Sequence, residues 1–367
     1  MNINNNLTNV LNFLRWTAAF FVVSGHLRSF IFLDYQSIDS MNKTIFIKFF
    51  YFITGFGHQG VIVFFVISGY LVGGKILNEY IYNKIDVFFI KKYFVNRFTR
   101  IYIVLIPAIV LGYIFDTIGH TMFDEKIYLN FYHFSAMNYI PIDRLSYVNI
   151  IGNIFNLQGI SINTLGSNAP LWSLSNEWWY YIIFILFFIN RLTFIFALFI
   201  IAMILFFGNG QLLLYSSIWI LGAISLLINK NIINVFISII VLFFVLLFSR
   251  IYDGFVVDFL LATSLVLMIN GIKYTNLKIN YFNKMNLKFA DFSYSLYLFH
   301  FPFIVLMLSI LNYKDLIIIQ LTPNVNAFII FFFMLVFVYL YSFFAYILFE
   351  SKTSFMKQKI YKILGLC

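Results

Sequence analysis

The chain has 367 residues, of which 62% are hydrophobic and 10% charged, with a mean hydropathy of +0.91 and a net charge of +10. A soluble domain carries roughly 25% charged residues, so no water-facing surface could be built over 50 Phe and 25 Tyr with so few charges, and lipid must be the main solvent. The one cysteine, Cys367, excludes a disulfide framework, a cysteine metal site and a buried thiol nucleophile, and the basic balance needs no nucleic acid, because membrane proteins gather Lys and Arg in cytoplasmic loops.

A membrane span needs about 20 mostly apolar residues. Ten segments meet this approximately: 11–33, 53–77, 100–118, 170–189, 192–207, 212–228, 232–248, 255–269, 292–311 and 327–349. The first is too long for the apolar core of a signal peptide and lacks a small-residue cleavage site. With the N-terminus inside, the cytoplasmic segments hold 16 of the 24 Lys and Arg and the outer segments 7, and Arg15 sits near the inner end of the first span. The asymmetry recurs loop after loop, which predicts an all-α polytopic bundle of about ten spans with both termini cytoplasmic. Residues 78–99 then form a basic inner loop and 119–169 a long outer loop of mixed charge. No repeat or appended soluble domain is visible, so 1–367 reads as one membrane domain.

Ionisable groups inside spans are costly and default to functional candidates. The first span carries Arg15 and His26, eleven residues apart, which returns them to within roughly 20° of one helix face and about 16 Å apart along it. A snorkelling arginine and a histidine bonded within the bundle would give the same pattern. In the second span, Ser68-Gly69-Tyr70 offers small residues for close helix approach and a hydroxyl to bond across it. Arg97 and Arg100, three apart, share a helix face and can fork onto phosphates or simply anchor the inner loop.

Further along, Pro170-Leu-Trp-Ser-Leu-Ser-Asn-Glu177-Trp-Trp-Tyr-Tyr places a carboxylate two turns into a span among aromatic rings. An aromatic belt explains the rings but not the acid. His300 lies about 12 Å into the ninth span, where Pro302 frees a backbone carbonyl nearby. Asp258 and Glu350 complete the set, Glu350 reading as structural at an inner helix end.

Taken in order, these residues resemble the acyltransferase-3 family of bacterial membrane O-acyltransferases. The resemblance rests on Leu14-Arg15 with ten residues before His26, Phe64-Phe65 to Ser68-Gly69-Tyr70, Arg97 to Arg100 with Ile101-Tyr102, Trp172-Ser-Leu to Glu177, Ser293-Tyr-Ser-Leu-Tyr297 to His300-Phe-Pro302, and Phe349-Glu350. It covers nearly the whole chain. Two departures are a proline displaced to Pro107 and Trp178 where a second acidic residue often stands, and the family's occasional hydrolase-like domain has no counterpart.

The resemblance implies transfer of an acyl group from cytoplasmic acyl-CoA, commonly acetyl-CoA, to a glycan or glycolipid hydroxyl at the outer face of the bacterial cytoplasmic membrane. Arg15, Arg97 and Arg100 would then hold the nucleotide phosphates. His26 would act as general base, or carry the acyl group transiently, with Glu177 orienting the imidazole or contacting the acceptor and His300 as an orienting or second proton-handling group. No metal and no permanently bound cofactor is expected, since a thioester is already activated. The competing expectation is a secondary transporter or flippase with a His, Glu and Asp proton relay, against which stands the lack of internally repeated halves.

Overall fold

All ten segments are helical in the computed structural model, which describes residues 5–208, 210–275, 283–314 and 320–366. In chain order the helices are α1 (Asn5–Ile31), α2 (Ile45–Ile53), α3 (Gly57–Ser68), α4 (Gly74–Tyr82), α5 (Val87–Met122), α6 (Glu125–Tyr128), α7 (Tyr147–Ile154) and α8 (Leu171–Ile189). They continue as α9 (Arg191–Phe206), α10 (Gly210–Ser225), α11 (Val235–Phe248), α12 (Phe255–Lys273), α13 (Asn283–Asp291), α14 (Ser293–Tyr313), α15 (Val325–Leu348) and α16 (Thr353–Ile363). No strand forms among the described residues. Cys367 and Lys278, one of the basic residues counted as cytoplasmic, lie outside them.

Among the described residues, six stretches are long and apolar enough to cross a membrane: Asn5–Ile31, Ile45–Tyr82, Val87–Met122, Phe255–Lys273, Ser293–Tyr313 and Val325–Ile363. Three apolar helices, α9, α10 and α11, are shorter. The expected inner loop 78–99 is mostly helix: α4 runs to Tyr82, and α5 starts at Val87 with the Asp86 carboxylate accepting from the Phe89 amide at 2.7 Å. That carboxylate satisfies an N-terminal amide of α5. The second predicted span is not one uniform helix either. A five-residue π-helical stretch, Gly69–Gly73, separates α3 from α4.

The chain divides into two compact units. The first comprises Met1–Ala18, His58–Tyr93 and Asn176–Ser293, and the second Ala19–Gly57, Phe94–Ser175 and Tyr294–Cys367. In the first, the α3 end and π stretch lie against α10 at a distance side chains would forbid. A methyl group on Gly69 would overlap the Trp219 carbonyl, and one on Gly222 the Val66 carbonyl. Small residues at this crossing serve the close backbone approach that packing in lipid favours.

In the second unit, α14 is the interior element and α15 the lipid-facing one. The apolar window of α14 is 72% buried, against 28% for the stretch containing α15, whose Phe332, Phe333 and Phe344 are exposed. A helix apolar all round satisfies both neighbours, because hydrocarbon is as good a solvent for Phe as a core.

Candidate functional site

His26 and His300 lie in a polar network of the second unit and Glu177 in one of the first. In the second unit His26, half-buried on α1, meets His300, fully buried on α14: the His26 Nδ1 to His300 Nε2 distance is 2.9 Å. The rings are parallel to 6° with centroids 5.2 Å apart, which is the nitrogen separation plus the two ring radii. The hydrogen bond therefore lies in line with both rings, edge to edge. Phe301 closes one side at 4.9 Å from the His26 ring.

The remaining contacts fix the protons. His300 Nδ1 lies 3.0 Å from the Leu296 carbonyl and 2.8 Å from that of Tyr297. Carbonyls only accept, so Nδ1 carries the proton and the Nε2 of neutral His300 is an acceptor. His26 must then donate from Nδ1, which leaves its Nε2 with a bare lone pair. That nitrogen has no hydrogen bond among the described residues.

The helix presenting His300 is braced from outside. Pro302 has no N–H to give the carbonyl four residues back, that of Leu298. The Asn168 Nδ2 donates to that oxygen instead, at 3.1 Å. Tyr297 shares a hydroxyl bond with Ser173 at 2.7 Å. At the start of α14, the Glu350 Oε2 accepts from the Ser295 amide at 3.0 Å and its hydroxyl at 2.7 Å, a carboxylate placed where a helix N-terminus favours one. The Glu350 Oε1 accepts from the Arg100 Nη1 at 3.0 Å, and Arg100 also lies over the Tyr294 ring. Glu350, read from the sequence as structural, thus ties Arg100 of α5 to the start of α14. Arg97 is half-buried one turn before Arg100.

Asp116 escaped the sequence reading. It is 1% exposed near the end of α5 and accepts from both the amide and the hydroxyl of Ser167, each at 2.7 Å. An aspartate inside an apolar run is the same signal that drew attention to Glu177. Gly166 beside it has φ +52, and a side chain there would collide with the carboxylate. Tyr139, in the expected outer loop, donates to the Ser167 carbonyl at 2.9 Å, and Arg144 stacks 3.4 Å from its ring centre. Desolvation pushes the Tyr139 phenol above its usual range, so it stays a neutral donor. The loop 119–169 is consequently folded against its own unit.

Glu177 and Arg15 fall in the first unit. Arg15 is half-buried on α1, which runs unbroken through His26. The Glu177 Oε1 accepts from the Ser68 hydroxyl at 2.5 Å and from the Tyr181 hydroxyl. Ser68 in turn accepts from the Trp219 indole at 3.1 Å. Ser68 thus bonds across the glycine-lined crossing as its sequence context suggested, and Tyr181, one of the aromatic residues around the acid, is its partner.

Asp258 has partners too. Its Oδ2 lies 2.8 Å from the His58 Nε2 and accepts from the Tyr215 hydroxyl at 2.9 Å. His58 lies inside the second predicted span, 53–77, so it carries the same intramembrane signal as His26. Among the described residues no group of three or more His, Cys, Asp or Glu is placed to hold a metal.

A family model described as an acyltransferase domain, Acyl_transf_3, matches residues 9–343. No curated protein and no solved structure matches the chain.

Proposed function

The chain belongs to this acyltransferase family, and from that premise we propose that it transfers an acetyl or other acyl group from cytoplasmic acyl-CoA to a hydroxyl of a cell-surface or secreted glycan, at the outer face of the bacterial cytoplasmic membrane. The observation that carries this reading is the bare Nε2 of His26, held in that tautomer by His300.

In the reaction we infer, the His26 Nε2 takes the proton of the acceptor hydroxyl as its oxygen forms a bond to the thioester carbonyl carbon. The tetrahedral intermediate collapses, the C–S bond breaks, and the imidazolium returns the proton to the departing thiolate. The products are an ester and free CoA thiol, with no net proton released. While His26 is charged, its Nδ1–H still donates to His300, so the pair keeps its geometry in both protonation states. His300 is an orienting group, fully buried and with both nitrogens spoken for. Arg15, Arg97 and Arg100 serve the nucleotide phosphates, to which guanidinium forks are suited. Glu177 meets the acceptor, whose hydroxyls a carboxylate can accept from.

The test is release of CoA from acetyl-CoA by membranes of producing cells, with the acetyl-ester content of their envelope glycans measured in parallel. Thioester cleavage coupled to new glycan esters is expected. Uncleaved acetyl-CoA alongside glycan movement across the membrane would overturn the reading in favour of transport.

A further inference from the structure

We propose that Asn168 is a positioning residue for His300, supplying to the Leu298 carbonyl the hydrogen bond that Pro302 removes from α14. The inference rests on the reading of His300 as the group that orients His26.

A proline inside a helix leaves one carbonyl without its donor, and in a lipid-surrounded segment no bulk water is at hand to replace it. The usual consequence is a kink, with nearby carbonyls tilting away from the axis. Here the affected carbonyl, Leu298, follows directly on Leu296 and Tyr297, whose carbonyls hold the His300 Nδ1 at 3.0 and 2.8 Å. A change of backbone at Leu298 is therefore a change in the direction of the imidazole. Asn168 fixes that point at 3.1 Å from a position 130 residues away in the chain.

The residue gives up a local role to do so. It stands just before α8, where an asparagine ordinarily turns its side-chain oxygen onto the helix's own first amides. The Asn168 Oδ1 instead has no hydrogen bond among the described residues, and the side chain is 2% exposed. The backbone alone serves α8, the Leu171 amide donating to the Asn168 carbonyl at 3.3 Å. The amide cannot be turned over, since that would set its oxygen against the Leu298 oxygen. Its anchor is equally specific: Ser167, the preceding residue, is held by the buried Asp116 through both its amide and its hydroxyl. The path from Asp116 through Asn168 to Leu298 lies wholly within the second unit.

A double-mutant cycle tests this, because the missing donor can be restored from inside the helix. Asn168→Ala lowers CoA release from acetyl-CoA by up to about tenfold at matched membrane levels, no more than the loss of His300 itself, the cost of misplacing the group that orients the base. Apparent affinity for acetyl-CoA stays unchanged. Pro302→Ala gives α14 back its N–H, so the combined Asn168→Ala, Pro302→Ala chain recovers to within about threefold of Pro302→Ala alone. If Asn168→Ala fails to accumulate, recovery of the chain by Pro302→Ala is the same result read as stability. A double variant no better than Asn168→Ala, in rate or in accumulation, overturns the proposal, as does wild-type turnover in Asn168→Ala. His26→Ala run beside them separates the two readings. Loss there without coupling in the cycle sinks only the role of Asn168, whereas full activity in His26→Ala removes the function on which it rests.

Discussion

The histidine pair of the second unit and the carboxylate of the first are both polar groups set among aromatic rings, and they are satisfied in opposite ways. His26 and His300 share one neutral hydrogen bond, and the carbonyls of Leu296 and Tyr297 consume the other end of the pair, which leaves a lone pair exposed on His26. Glu177 is approached by hydroxyls: Ser68 and Tyr181 donate to one of its oxygens, and Trp219 donates to Ser68. A chain of donors that ends on carbonyls forces a base to be free. Donors converging on a carboxylate stabilise its charge and hold it in place. The first arrangement suits a group that must take up a proton and give it back, the second a group that must be held in place.

The largest expected effect breaks the first network. His26→Ala should insert and bind acetyl-CoA yet lose transfer by about 10²–10⁴-fold, the usual worth of general acid–base catalysis. His300→Ala should cost less, about tenfold, because the base survives but is free to take either tautomer and other rotamers. Initial rates of CoA release at matched levels decide the order. A His300 variant as impaired as His26→Ala would make the two histidines equal partners and end the assignment of His300 as an orienting group.

Glu177→Gln sharpens the other side of the comparison. Glutamine keeps an acceptor for Ser68 and Tyr181 but loses the charge, so the chain should accumulate normally while its requirement for acceptor rises about tenfold, one charge-assisted hydrogen bond. Wild-type kinetics in Glu177→Gln together with poor accumulation of Glu177→Ala would show that the acid is only the keystone of its crossing.

The smallest effect concerns the arginines. Arg97→Ala should weaken apparent affinity for acetyl-CoA by about 3- to 10-fold with turnover kept, the worth of a partly exposed charged contact. Arg100→Ala would in addition strip a partner from the buried Glu350. An Arg97→Ala chain with unchanged affinity for acetyl-CoA would leave this arginine as a topology anchor.

The sequence by itself determined the class and the elements. All ten apolar segments are helices, since a run of apolar residues in lipid must satisfy its own backbone. The same physics made Arg15, His26, Glu177 and His300 stand out, because each is expensive where it lies. It did not show that the basic stretch 78–99 is largely helix, nor that Ser68 opens onto a π-helical turn, because helix ends and extra turns depend on side-chain caps and close neighbours. Asp116 and His58 carry the intramembrane signal too, inside the predicted spans 100–118 and 53–77, each near one end of its helix. What tertiary structure alone decided is which polar groups meet. His26 and His300 are 274 residues apart, Asn168 and Leu298 130, and Arg100 and Glu350 250. Such pairings come from how helices cross, and periodicity along a single helix carries no information about which helix lies opposite. The proton on His26 was decided there too, because only the contact with the back-bonded His300 places it on Nδ1 and frees Nε2.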